Sequence, residues 1–325
     1  MRRREFISLL GGVATWPLQA RAQQATRPVI GLLNFVSFGS YADRVAAFFQ
    51  GLKEVGYVDG QNVRVEYRSA DAQRDRLPAL AAELVDRKVA VMVALAPQSA
   101  QAAKAATSTI PIVFIVGVDA VEVGLVERLT RPEGNVTGIS FNNATLAPKR
   151  LELITELVPS AGVVGFLLDP NSLTIEADAK NLPAAARSIG RQGVVARAAT
   201  VQEIEAAIET VVQQGATALV VSNSSFFISR GEQIVSLAAK HRLPTIYAAR
   251  EAVTAGGLIS YAPKIDDLYR QGGMYTGRIL NGEKPAELPV LQPTKFEVVI
   301  NLKTAKAHGL EIPMSMLMRV DEVIE

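Results

Sequence analysis

A chain of 325 residues with 49% hydrophobic and 20% charged side chains can bury a sizeable core, and its length suits two domains. Residues 1–22 carry four arginines and one glutamate; without them the formal charge changes from +2 to −1, which excludes the electrostatic footprint of a nucleic-acid binder. With no cysteine and only His241 and His308, the chain has too few soft ligands for a transition-metal centre.

The start reads as an address. Arg2-Arg3-Arg4-Glu5 is followed by an apolar stretch from Ile7 to Trp16 and by the small-x-small signal Ala20-Arg21-Ala22. Arg3-Arg4-x-Phe6-Ile7 also has the form of a twin-arginine (Tat) export motif, with the Sec route as the alternative. The expectation is an export signal at 1–22, a mature chain starting near Gln23, a periplasmic location, and no integral membrane segment once the signal is removed.

The next elements alternate strand and helix. Val29–Asn34 predicts a buried strand, ending in a turn over Phe35–Ser40. Val45, Phe48, Phe49 and Leu52 repeat at helical spacing from Tyr41 to Val55, and Gly56 closes that helix. An alternating strand at Val63–Tyr67 and a helix at Asp75–Arg87 lead to Val89–Leu95, an apolar run suited to a strand covered on both faces. A helix from Pro97 to Thr107, a break at Ile110-Pro111 and a strand at Ile112–Val116 complete a βαβ unit that ends near Asp119. Val121–Leu129 is read as a helix and Val136–Ser140 as a strand.

A second half follows with the same order. Helices are expected at Ala147–Leu157, Leu173–Ile189 and Val201–Gln214, with strands at Val163–Leu168, Val194–Ala196, Ala218–Val221 and up to Tyr247. Matching positions lie about 130 residues apart, as Val29 to Val163 and Pro111 to Pro244, which suggests duplicated architecture. A strand ending at Tyr261, a helix at Ile265–Leu280, an extended stretch at Pro285–Pro293, a strand at Phe296–Asn301 and a helix at Leu302–His308 remain for a chain that crosses between lobes. The fold class is therefore α/β, with two doubly wound, Rossmann-like lobes, a hinge and an interlobe cleft. The first lobe is expected to hold 23–138 plus about 261–289, and the second 139–260 plus about 290–325.

No catalytic constellation stands out: there is no Gly-x-Ser-x-Gly elbow, no His-Glu-x-x-His and no phosphate loop. No cofactor and no metal are expected. His241, between Lys240 and Arg242 at a helix end, suits a surface role. Gly273-x-x-x-Gly277 reads as a packing contact in a helix that also carries Arg270 and Arg278. The positive signal is the polar character of the strand ends, because open parallel sheets bind ligands beyond the carboxyl ends of their strands. Candidate ligand groups are Phe35, Ser37, Gln98, Ser99 and Asp119 in the first half, and Asn171, Ser172, Ser222, Asn223, Phe226, Arg250, Glu251, Ser260 and Tyr261 in the second. Each has a plainer role available: Ser99 and Asp119 as helix caps, Asn171 as a turn residue, Phe226 as core, and Arg250-Glu251 as an exposed pair.

Several longer motifs carry a resemblance. Gly51-Leu52-Lys53-Glu54-x-Gly56-Tyr57-x-x-Gly60-Gln61-Asn62-Val63, Ile110-Pro111-Ile112-Val113-Phe114, Arg131-Pro132-x-Gly134-Asn135-Val136-Thr137-Gly138 and Lys149-Arg150-Leu151-Glu152-Leu153, with the arginine-rich start, resemble the ABC-transporter substrate-binding family that includes tryptophan-binding TrpX-like proteins. The resemblance implies a type I periplasmic binding fold, a small polar solute with an amino acid as candidate, and an ABC permease with its ATPase as partners. If the ligand is an amino acid, amides and hydroxyls near Ser99 are expected to hold its carboxylate while Asp119 or Glu251 meets its ammonium. Ser224-Ser225 stands where the family commonly has Asp-Pro, and Ala120 where it has proline. A ligand-sensing periplasmic receptor for a membrane signalling protein is the alternative. A LacI-like regulator would need a helix-turn-helix where this chain has its export signal.

Overall fold

The computed structural model describes residues 27–141 and 146–325; the expected export signal at 1–22 lies outside the described residues. The chain begins with β1 (Val29–Asn34) and α1 (Ala42–Glu54), then β2 (Arg64–Ser69), α2 (Leu77–Asp86), β3 (Val91–Ala94), α3 (Pro97–Ala106), β4 (Ile112–Val116) and β5 (Val136–Ser140). These strands form a parallel sheet in the order β2-β1-β3-β4-β5. β3 and β4 are buried at every residue, as continuous apolar runs covered by helices on both faces should be, whereas edge strand β2 stays partly exposed.

The second lobe contains α4 (Ala147–Leu157), β6 (Val163–Leu168), α5 (Ile175–Ser188), β7 (Gln192–Arg197), α6 (Val201–Gln213), β8 (Ala218–Val221), α7 (Ser225–Ser229), α8 (Gly231–Lys240), β9 (Thr245–Tyr247), α9 (Arg250–Thr254) and β10 (Ile259–Pro263). After α10 (Ile265–Leu280), its sheet is extended by β11 (Phe296–Asn301), followed by α11 (Leu302–Ala307), α12 (Met314–Leu317) and β12 (Glu322–Ile324). The order is β12-β11-β10-β9-β8-β6-β7, with only the β10–β11 pairing antiparallel. Its β7-β6-β8-β9-β10 portion repeats the first lobe's order, so each lobe has one point where successive connections leave in opposite directions: between β1 and β3, and between β6 and β8.

α10 belongs to the first lobe although it follows β10. Ile265, Leu268, Tyr269, Tyr275 and Ile279 join that lobe's core. Its glycines allow it to lie directly on α1, since a Cβ on Gly273 would sit 2.0 Å from the Phe48 carbonyl oxygen, and one on Gly51 1.8 Å from that of Arg270. The Gly-x-x-x-Gly pattern is thus a helix-packing contact.

Several expected boundaries move. The return to the first lobe, expected at about 261, comes after Pro263, because β10 stays paired with β11 through that residue. The first departure, expected after 138, comes after Ser140, which still pairs in register with Val116. Val121–Leu129 is not a helix: the Val123 N–H reaches the Asp119 carbonyl for one turn, then Gly124 enters the left-handed region at φ 69° and ends it. α12 and β12 have too few residues for periodicity to announce them. Leu291 hydrogen-bonds to Gly138 and Ser140, so the last crossing lies against the end of β5.

Candidate functional site

Topology alone places a ligand crevice at the β1/β3 and β6/β8 divides, and these two points face one another. A cleft is walled by Leu95–Gln98 after β3 on one side and by Ser172, Leu173 and Asn223–Ser225 after β6 and β8 on the other. Arg44, Tyr41 and Tyr269 also line it. A second, smaller space runs between Gly117-Val118 and the second lobe's Arg150, Thr174, Asp178 and Ser222, and a third lies beside Arg250 and Glu251. Asn223 borders all three.

Polar contacts hold the lobes together across this gap. Gln98 Nε2 donates to the Asn171 carbonyl at 3.1 Å. Arg44 on α1 forms an ion pair with Glu251 on α9, with both Nε and Nη2 at 2.7 Å from Oε1. The Arg44 guanidinium also lies 4.8 Å from the Tyr41 ring centre and 6.0 Å from that of Tyr269. Burial alone would raise the Glu251 carboxyl pKa, but Arg44, a backbone hydrogen bond and Arg250 together outweigh it and the net direction is downward. Burial raises the Tyr41 and Tyr269 hydroxyls, so both stay neutral at physiological pH.

At the cleft walls (Gln98, Glu251) and in the interior around them (Ser99, Asp169, Ser260), some buried polar atoms have no hydrogen-bond partner, which is costly unless something else satisfies them. Gln98 Oε1, Ser99 Oγ, Asp169 Oδ2, Glu251 Oε2 and Ser260 Oγ are in this state. Asp169, 1% exposed, accepts from the Asn171 N–H through Oδ1, and burial pushes its carboxyl pKa up.

The expected site residues divide. Gln98, Ser172, Ser222, Asn223, Arg250 and Glu251 border the cleft spaces, and the Asn171 carbonyl receives Gln98. Ser99 is fully buried one residue further into α3. Asp119 is engaged in its turn, where Oδ1 accepts from the N–H groups of Val121 and Glu122. Phe35 and Phe226 pack in apolar cores, and exposed Ser37 hydrogen-bonds with Ser40. Arg250 reaches both carboxylate oxygens of Glu322 within its own lobe, at 2.8 and 2.7 Å. Tyr261 contributes its backbone: its carbonyl accepts from Arg150 Nε at 2.8 Å, while its ring lies on Phe296.

Sequence reasoning missed Tyr41, Arg44, Arg150, Asp178 and Tyr269. The two arginines left a readable signal, because each occupies a core position on its helix: Arg44 is in step with Phe48 and Leu52, and Arg150 with Ile154 and Leu157. A cation on an apolar stripe needs a partner from elsewhere in the fold. Among the described residues, no group of three His, Cys, Asp or Glu side chains could hold a metal, and no helix is long and apolar enough to cross a membrane.

Residues 29–324 match the family model described as ABC transporter substrate binding protein. The chain is 27% identical over 282 residues to the tyrosine-binding protein of Clostridioides difficile, covering 87% of this chain and 81% of that protein. It also resembles the Streptococcus pneumoniae ABC domain solved in complex with L-Trp, with 28% identity, a TM-score of 0.83, and coverage of 92% of this chain and 100% of that one. Against the ligand-free, open structure of a substrate-binding protein with adhesive properties from Clostridium difficile, the identity is 25% and the TM-score 0.64, over 91% and 99% of the two chains.

Proposed function

We propose that this chain, which belongs to the ABC transporter substrate binding protein family, captures an amino acid outside the cytoplasm and presents it to an ABC permease driven by its ATPase. The family is one of solute binders and not of enzymes, so the cleft works by equilibrium binding. Contacts to both lobes stabilise the closed form, and the ligand shifts the open–closed balance by the difference in its affinity for the two.

The observation that carries the reading is that the strand-end divides of both lobes meet across one polar-lined space, with Gln98 on the first-lobe side and Ser172 and Asn223 on the second. The tyrosine and L-Trp named for the two relatives support an amino acid as ligand. The better superposition on the L-Trp complex than on the open structure, at nearly equal identity, fits closed lobes. The arginine-rich start and Ala20-Arg21-Ala22 support export to the periplasm.

The test is native mass spectrometry of residues 23–325 before and after mild denaturation, followed by thermal shift with the twenty amino acids. At one hundred times its dissociation constant, the ligand is expected to add about 2.7 kcal/mol of stability, a rise of roughly 5–10 °C in Tm. No copurifying molecule and no shift with any amino acid would remove the amino-acid reading.

A further inference from the structure

The second cleft space contains the largest almost wholly buried side chain among the described residues, Arg150, which is 1% exposed. It lies near the N-terminal end of α4, and its Nε bond to the Tyr261 carbonyl sets the plane of the guanidinium. Asp178 on α5 borders the same space, with Thr174 Oγ1 donating to its Oδ2 at 2.8 Å. The remaining walls are apolar or neutral: Val118, Leu182, Val220, Ser222 and Asn223.

We infer that Arg150 and Asp178 form the receptor for the charged head of a zwitterionic α-amino acid, Arg150 taking its carboxylate and Asp178 its ammonium. This assignment rests on the amino-acid reading above and deepens it. Opposite charges on one cavity match a ligand that carries both signs on a single carbon. An amine or a simple carboxylic acid would satisfy only one of them. A guanidinium held by its Nε offers a planar, two-pronged donor suited to a carboxylate. Gly117, Val118 and Asn223 also border the larger space, so a side chain leaving this head group enters the region of Phe141, Ile228 and Tyr269, which accommodates an apolar or aromatic group.

The electrostatics agree with this geometry. Burial pushes the Arg150 pKa down to about 10 although Asp178 opposes the change, and burial raises Asp178 although Thr174 and Arg150 oppose it. A bound zwitterion brings a second counter-charge to each.

The experiment crosses protein variants with ligand deletions by calorimetric titration. L-Tryptophan and L-tyrosine are compared with tryptamine and tyramine, which lack the carboxylate, and with indole-3-propionate and 3-(4-hydroxyphenyl)propionate, which lack the ammonium. Asp178→Asn is expected to weaken the amino acid roughly thirtyfold or more while leaving the ammonium-free acid within about twofold. Arg150→Met is expected to do the converse, weakening the amino acid and sparing the amine. Asp178→Asn is nearly isosteric, so it keeps the test decisive if Arg150→Met perturbs folding, which near-ultraviolet circular dichroism reports. Equal proportional losses on intact and truncated ligands, or unchanged affinity for the amino acids, overturn the assignment and leave the amino-acid reading standing. Failure of the wild type to bind any of the twenty amino acids overturns both.

Discussion

Arg44 shows how much one side chain can decide. It is 4% exposed on a first-lobe helix, and its carboxylate partner Glu251 belongs to the second lobe, 207 residues away in sequence. Opening the lobes separates the pair, so their attraction favours closure. Glu251→Gln leaves a buried guanidinium without its counter-charge. The expected shift toward the open form is roughly 2 kcal/mol, reduced from the full cost of a broken buried pair because 34% of the Glu251 side chain remains in water. Ligand affinity then falls about thirtyfold, measured by calorimetry at pH 7. The pH dependence has a definite sign. Glu251 is held below its ordinary 4.5 when paired, so its contribution is complete above that pH and is lost as the pH falls through the lower, closed-state value. Small-angle scattering of the wild type should show expansion in that acid range, and Glu251→Gln should lack this component.

At the scale of elements, the contact between α1 and α10 depends on glycine. Gly273→Ala places a methyl group against the Phe48 carbonyl, and relief requires two helix backbones to separate. A loss of about 2–3 kcal/mol is expected, measured as a lower midpoint in urea unfolding of the ligand-free protein. An unchanged midpoint would mean that α10 does not lie on α1 so closely. At the start of α6, Thr200 Oγ1 accepts from the Glu203 N–H while Glu203 Oε2 accepts from the Ala199 N–H. Thr200→Ala should cost about 1 kcal/mol by the same assay. These elements also show where sequence signals end. Buried strands β3 and β4 were legible because four or five consecutive apolar residues suit little else. Val121–Leu129 misled because its apolar spacing suits a helix, whereas Gly124 and the Asp119 cap stop the chain after one turn.

For the whole molecule, the chain leaves one lobe for the other after Ser140, after Pro263 and after Leu291, and the proposed closure turns about these crossings. Small-angle scattering should show a smaller radius of gyration on saturation with the ligand found by thermal shift, because occupancy draws the population into the closed form. A binding event without compaction would contradict lobe closure as the mechanism.

Local periodicity and turn chemistry alone carry the strands other than β12, the two similar halves and the polar character of the strand ends. Which strand ends face the opposite lobe was decided only by the tertiary structure. Gln98 and Asn223 reach the cleft, Asp119 stays in its turn and Phe226 joins the core, although all four occur at similar places in the sequence pattern. Arg44 and Arg150 make the same point from the other side. Each sits on a helix stripe that reads as core, and its role comes from groups more than one hundred residues away, at separations of 207 and 111. Periodicity reports which face of a helix is buried. It carries no information about the charge or carbonyl that the folded chain brings to meet that face.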